Sequence, residues 1–287
     1  MPWTQVSYLY DGTYAGFLTC VFDSFRHREE PADFTPFSEA AASFYPQRAV
    51  ETHREKARRV YRSLDQFGRE GKRWAVRGFL TCLEERELWL WRFYQLGFQE
   101  KSAVSRDLTH PVVDTVRKAV RHLEEEAHLL TGFVRFSELD GVLAGEISPK
   151  NRVLPLLRPH FCGRYPQEQF LLYDKTHREA LIHVPGRWSI LPMEEFQMGR
   201  AGTEELQYRR MWRKFYDAIA IQRRENPRCR MTHMPKRYWN TMTEFQGEDS
   251  FKARERPAAV SGPGAPAGIP APETPPGSGQ SVPGSVP

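Results

Sequence analysis

Pro111-Val-Val-Asp-Thr-Val-Arg-Lys-Ala-Val-Arg-His-Leu-Glu-Glu-Glu-Ala-His-Leu-Leu130, followed by Thr131-Gly-Phe-Val-Arg-Phe-Ser-Glu138, is where the hydrophobic period of this chain changes. In the first stretch Val113, Val116, Val120, Leu123, Ala127 and Leu130 recur at alternating spacings of three and four, the stripe of an amphipathic helix. Pro111 suits its first turn, where the missing N–H costs nothing. From Gly132 onward the period falls to two. Strands are predicted over 132–138, 141–147, 169–173, 180–184 and 188–191, separated by turn signals such as Leu139-Asp-Gly141 and Pro185-Gly186. A helix over 153–161 interrupts them. Segregated helices and antiparallel strands define an α+β class, with one antiparallel sheet packed by helices. One domain is expected over residues 3–245.

Working outward, Ser7-Tyr-Leu-Tyr10 reads as a strand that enters the turn Asp11-Gly-Thr13. Phe17, Leu18, Val21, Phe22 and Phe25 then form a helical stripe, capped by Asp11 or Thr13. Pro31, Pro36 and Pro46 mark 31–47 as loop. Residues 51–65 place Ala57, Val60, Tyr61 and Leu64 on one helical face. Thr81-Cys-Leu-Glu84 fits a capping box for a helix through Leu88, Trp91 and Leu96, with Gly97 as its stop. A last helix is predicted over 204–224, burying Met211, Phe215, Ala218 and Ile219, and ended by Asn226-Pro227. Residues 257–287 hold nine Pro and six Gly, too little apolar surface to offset ordering, so 250–287 is expected to be a disordered tail.

The 287 residues are 40% apolar, 27% charged and 13% aromatic, the composition of a folded globular protein. No apolar run approaches the roughly 20 residues of a membrane span. No secretory signal opens the chain, and a cytoplasmic location is expected. The formal net charge is +5, yet residues 207–240 alone carry ten Lys/Arg against Asp217 and Glu225. The basic character of this stretch exceeds that of the whole chain. Its basic groups Arg209, Arg213, Arg224, Lys236 and Arg237, beside Tyr238 and Trp239, are suited to phosphates and stacked bases. The same pattern also fits a docking segment whose rings pack on the core.

Cys20, Cys82, Cys162 and Cys229 are far apart, which favours reduced thiols over a disulfide framework. A zinc site from His160, Cys162, Cys229 and His233 is the weaker alternative, and no metal site is assigned. Phosphate-cradling loops, a dinucleotide fingerprint, a nucleophile elbow and the zinc-deaminase pattern are all missing from the sequence. Closely spaced cysteines for an iron–sulfur cluster are missing too. His122-Leu-Glu-Glu-Glu-Ala-His128 reads as a solvated acidic helix face, since histidines six apart do not share a face. Asp11 is either a helix cap or a ligand-facing carboxylate. Arg135, Arg158, His160, Arg164 and Tyr165 are candidate phosphate contacts, and Asp11 is expected beside 160–165 over one sheet edge.

Tyr10-Asp-Gly-Thr-Tyr-Ala-Gly-Phe-Leu18, Gly132-Phe-Val-Arg-Phe136, Asn151-Arg-Val-Leu-Pro-Leu-Leu-Arg-Pro-His-Phe161 with Arg164-Tyr-Pro166, and Trp212 through Asn226-Pro227 to Pro235-Lys-Arg-Tyr-Trp239 resemble a bacterial family. Its members are described as DNA repair or DNA metabolism proteins of unknown biochemistry, and the resemblance covers about residues 6–242. They are encoded beside a radical SAM protein, and many are fused to a uracil-DNA glycosylase domain. The resemblance implies DNA, the radical SAM protein and a uracil-DNA glycosylase as partners. The iron–sulfur cluster and SAM would then reside in the partner, with no cofactor in this chain. It brings no established catalytic residues, and no glycosylase motif follows residue 250. The leading expectation is a nucleic-acid-binding partner of a radical SAM enzyme. The alternative is a DNA-processing hydrolase or glycosylase-like enzyme, with its site near Asp11, Arg135, His160 and Arg164. A purely structural interaction protein is the third reading.

Overall fold

Strand β1 (Thr4–Tyr10) and helix α1 (Tyr14–His27) follow from their apolar patterns, and the Thr13 hydroxyl caps the helix by accepting the Gly16 N–H at 3.0 Å. The computed structural model describes residues 3–139, 141–196 and 235–242, with the single positions 207, 210, 211 and 231. All belong to one compact unit, Met1–Gln246. The expected tail, Arg209, Arg213, Arg224, Cys229 and His233 lie outside the described residues.

The proline-bearing stretch 31–47 is not all loop. Strand β2 (Glu29–Pro36) and strand β3 (Gln47–Ala49) flank β1 in a parallel three-stranded sheet, order β2-β1-β3. β2 is an edge strand, where prolines cost few hydrogen bonds because alternate N–H groups face no neighbour. Buried Glu29 ties the sheet together: it accepts the Tyr8 hydroxyl at 2.6 Å and pairs with Arg48.

Helices α2 (Arg54–Ser63), α3 (Gly68–Gly78), α4 (Arg86–Glu100) and α5 (Pro111–Phe133) follow. In α2, Ala57 and Val60 are buried as predicted, but Tyr61 points outward. The expected capping box does not form. Thr81 is buried and donates its hydroxyl to the Gly78 carbonyl at 2.7 Å, closing α3 instead of opening α4. Gly97 sits inside α4 because a Cβ there would lie 2.6 Å from the Phe67 ring. All six stripe residues of α5 are buried. Helix α5 runs through Gly132 to Phe133, so the first strand of the second sheet is the short β4 (Ser137–Leu139), and Arg135 precedes it.

Strands β4, β5 (Val142–Ile147), β6 (Phe170–Asp174), β7 (Glu179–Val184) and β8 (Arg187–Pro192) form that sheet in chain order. It is mixed and not purely antiparallel, since β5 and β6 pair parallel. Helix α6 (Leu154–Arg164) lies between them, and a helical crossover returns the chain to the same direction. β1 stays in the other sheet. Two clusters of buried apolar side chains result. One joins the three-stranded sheet, α1 to α4 and the start of α5. The other joins the end of α5, α6, the five-stranded sheet, Tyr238 and Met242. Met211, expected to be buried, is exposed. Among the described residues, no helix is long and apolar enough to cross a membrane.

Candidate functional site

Spacing of four along α5 puts Asp114, Lys118, His122 and Glu126 on one side of the helix. The first three, with Thr115 and Ala119, form one wall of an open groove of about 650 Å³. The loop Thr81-Cys-Leu-Glu84 and Asn151 complete its lining.

Glu126 lies behind that groove with its side chain 1% exposed. Its Oε2 accepts the Asn151 backbone N–H at 2.8 Å and the Asn151 side-chain amide at 2.7 Å. Both carboxylate oxygens lie 3.1 Å from the Lys150 nitrogen. Oε1 also takes the Tyr238 hydroxyl at 3.4 Å and an ion pair with Arg237 at 3.2 Å. A buried carboxylate must be paired and hydrogen-bonded in this way to remain charged. Glu126 therefore positions its neighbours: it fixes the turn before α6 and anchors the 3₁₀ segment Lys236–Thr241.

Asn151 relays this order to the groove. Its Oδ1 accepts the Cys82 N–H at 2.9 Å, and its Nδ2 lies 3.0 Å from His122 Nδ1. Cys82 N–H needs an acceptor and Glu126 needs a donor, so the amide can point only one way. His122 Nδ1 is then the acceptor, and its ring proton sits on Nε2. A ligand in the groove would meet the exposed Cys82 thiol, the imidazole of His122 and the Lys118–Asp114 pair, whose atoms are 2.7 Å apart.

A second groove, of about 350 Å³, lies between α1 and α2, lined by Phe22, Phe25, Arg26, Arg59 and Phe98 among others.

The four candidates Asp11, Arg135, His160 and Arg164 do not converge on either groove. Asp11 follows β1, whereas His160 and Arg164 lie on α6 against the other sheet, so the shared sheet edge expected for them does not exist. Asp11 instead orders its own turn, accepting the Thr13 N–H at 2.9 Å and hydroxyl at 2.7 Å, and the Thr52 hydroxyl at 2.6 Å. Partial burial opposes its ionisation, but the hydrogen bonds from Thr52 and Thr13 outweigh that and hold its carboxyl below the usual range. Arg135 donates to the Gly132 carbonyl at 2.8 Å. Arg164 lies over the Tyr165 ring, 5.7 Å from its centroid.

In the basic C-terminal segment, Lys236 is exposed, but Tyr238 is not a stacking platform. Its ring is buried against Phe133, 5.3 Å between centroids, under the Arg237 guanidinium. Trp239 is half-buried on the same core. Tyr238 thus packs on the core, as the docking alternative has it, and Trp239 packs there in part. His160 and Cys162 are both on α6; their proposed zinc partners are outside the described residues. Among the described residues, no group of three or more His, Cys, Asp or Glu is arranged to hold a metal ion.

These features define an α+β protein whose groove beside α5 is organised by a buried carboxylate. Residues 84–244, more than half of the chain, match the model of the domain of unknown function DUF4130, and the chain belongs to that family. The match includes His122, Glu126, Asn151, Arg237 and Tyr238. No curated protein and no solved structure matches the chain.

Proposed function

We propose that this chain is a nucleic-acid-binding protein of DNA repair or DNA metabolism, working beside a radical SAM enzyme that modifies or repairs DNA. The distribution of unpaired cations supports this reading. On α2, Arg54, Arg58, Arg59 and Arg62 are exposed and have no ion pair among the described residues. Neighbouring helices are more fully matched: of α3's cations Lys72, Arg73 and Arg77 pair with Asp65, Glu70 and Glu124, leaving Arg69, and Arg117, Lys118 and Arg121 of α5 pair with Asp114 and Glu125. A cation already matched to a carboxylate gains little from a phosphate; an unmatched one releases counterions when it binds. Lys150 and Lys236, exposed on either side of the Glu126 junction, add two more. The resemblance supplies DNA as the polyanion and the radical SAM protein as the partner. Cluster and SAM would belong to that partner, and a uracil-DNA glycosylase would act on the same pathway of damage.

The alternative, a DNA-processing enzyme in its own right, moves from the four scattered candidates to the groove of Cys82 and His122. Titration of labelled oligonucleotides over a salt series tests the main reading. Affinity is expected to fall steeply with salt, and each Arg→Gln change at Arg54, Arg58 or Arg62, or at Arg209, Arg213 or Arg224, should lower the log–log slope by about one. Salt-insensitive binding, unchanged in a normally melting Arg54→Gln/Arg58→Gln/Arg62→Gln variant, would overturn it. Co-purification with the neighbouring radical SAM protein tests the partnership.

A further inference from the structure

We propose that the groove between α1 and α2 receives an unstacked base of single-stranded nucleic acid, with the flanking phosphates on Arg26 and Arg59. The inference rests on the nucleic-acid reading above and names the form of nucleic acid that this surface fits.

Phe22, Phe25 and Arg26 are three and four apart on one face of α1, and Arg59 and Ser63 are four apart on α2, so both helices turn these residues toward one groove. The three phenylalanines are only partly buried, an apolar floor open to solvent. At about 350 Å³ the groove is at the small end of ligand sites, which run from ~300 to 1,000 Å³. That suits one base and excludes a helix or a duplex.

The floor is rigid. Phe25 is held edge-on by Trp3 at 5.7 Å and by Phe98 at 5.4 Å, with Trp91 behind it at 6.2 Å. Phe22 lies under the Arg59 guanidinium, 5.7 Å from its ring centroid. A base stacking on Phe22 takes the place of the Arg59 guanidinium over that ring, and the displaced guanidinium is then free to meet the flanking phosphate.

Electrostatics select the same occupant. No acidic side chain lines the groove. Asp23, the nearest acid on α1, is buried and neutralised by Lys56 Nζ at 2.7 and 2.9 Å. Arg26 and Arg59 have no ion pair among the described residues, and Arg58 and Arg62 continue the cationic track along α2.

The test is fluorescence anisotropy of a labelled oligothymidylate with the full chain, alongside a blunt duplex and a polyglutamate peptide. Phe22→Leu keeps the apolar volume and removes the aromatic face. It should weaken oligothymidylate binding about five- to a hundredfold, with duplex affinity and melting temperature nearly unchanged. Arg26→Gln/Arg59→Gln, two exposed changes, should lower the salt slope by about two. If the chain binds DNA and neither variant alters it, this inference fails and the functional reading stands. If the unaltered chain binds no nucleic acid, both fail. Polyglutamate binding that matches the oligonucleotide, lost with the arginines but not with Phe22→Leu, would assign the groove to an acidic protein and overturn the proposal.

Discussion

Glu126 Oε2 and the side-chain amide nitrogen of Asn151 are 2.7 Å apart in the interior, 25 residues apart in sequence. Through this bond helix α5 sets the position of the Cys82 loop, because the other end of the same amide holds the Cys82 N–H. The Arg237 ion pair brings the C-terminal segment to the same carboxylate.

Removing the carboxylate should therefore be costly. Glu126→Ala leaves two backbone N–H groups, the Asn151 amide and Arg237 without their acceptor, and loss on the order of 3–5 kcal/mol is expected in urea unfolding. Arg237→Ala should cost less, since that side chain is 37% exposed and its charge was never fully removed from water. Equal losses for the two variants would mean that Glu126 acts only as Arg237's counterion.

Two helical glycines should respond in opposite directions. Gly97→Ala drives a methyl into the Phe67 ring and should destabilise by about 1–3 kcal/mol. Gly132→Ala meets nothing within 4 Å in the last turn of α5 and should stabilise by up to about 1 kcal/mol. Chemical denaturation of the two variants checks both signs.

The Asp11 turn should be acid-sensitive. Its carboxyl is held below the ordinary 3.8, so the folded state prefers the ionised form. The associated stability is present above about pH 4 and is lost as pH falls through the lower folded value. The melting-temperature gap between the unaltered chain and Asp11→Asn should therefore narrow below pH 4. A gap that stays constant or widens there would contradict this account.

Thiol reactivity should rank with exposure. Of the three described cysteines, Cys82 is exposed and should alkylate first. Cys162 should follow slowly, because partial burial raises its thiol against the opposing charge of Arg158. Cys20 should remain protected until unfolding, its thiol pushed far up by burial, with Asp23 and Asp11 adding to the effect. Peptide mapping after timed alkylation reads the order.

Helix α5 and the later strands were legible because each repeats one period long enough to exceed its neighbours' noise. β2 was not, because its prolines look like loop until an edge position makes their missing N–H groups harmless. The capping box failed for a related reason: Thr81 could bond forward or backward, and only packing decided. The site was hidden more deeply. Glu124, Glu125 and Glu126 are identical in sequence, yet the first pairs with Arg77, the second with Arg121 at the surface, and the third is buried. Only the turn at Asn151 and the C-terminal segment, far away in sequence, distinguish them. The spacing of four between His122 and Glu126 was the available signal. The α2 arginines were countable, five basic residues against Glu55 within ten, but a larger basic excess at 207–240 stands above them in the sequence's charge profile.

Helix α5 spans about 34 Å at its 23 residues. Val113, Val116 and Val120 belong to one apolar cluster, and Leu123, Ala127 and Leu130 to the other. Neither cluster can melt without unravelling a helix that the other requires, so the two halves are bound into one cooperative transition. Amides in the middle of that helix should exchange with solvent only through global opening, and damage to either cluster should be felt as faster exchange in both.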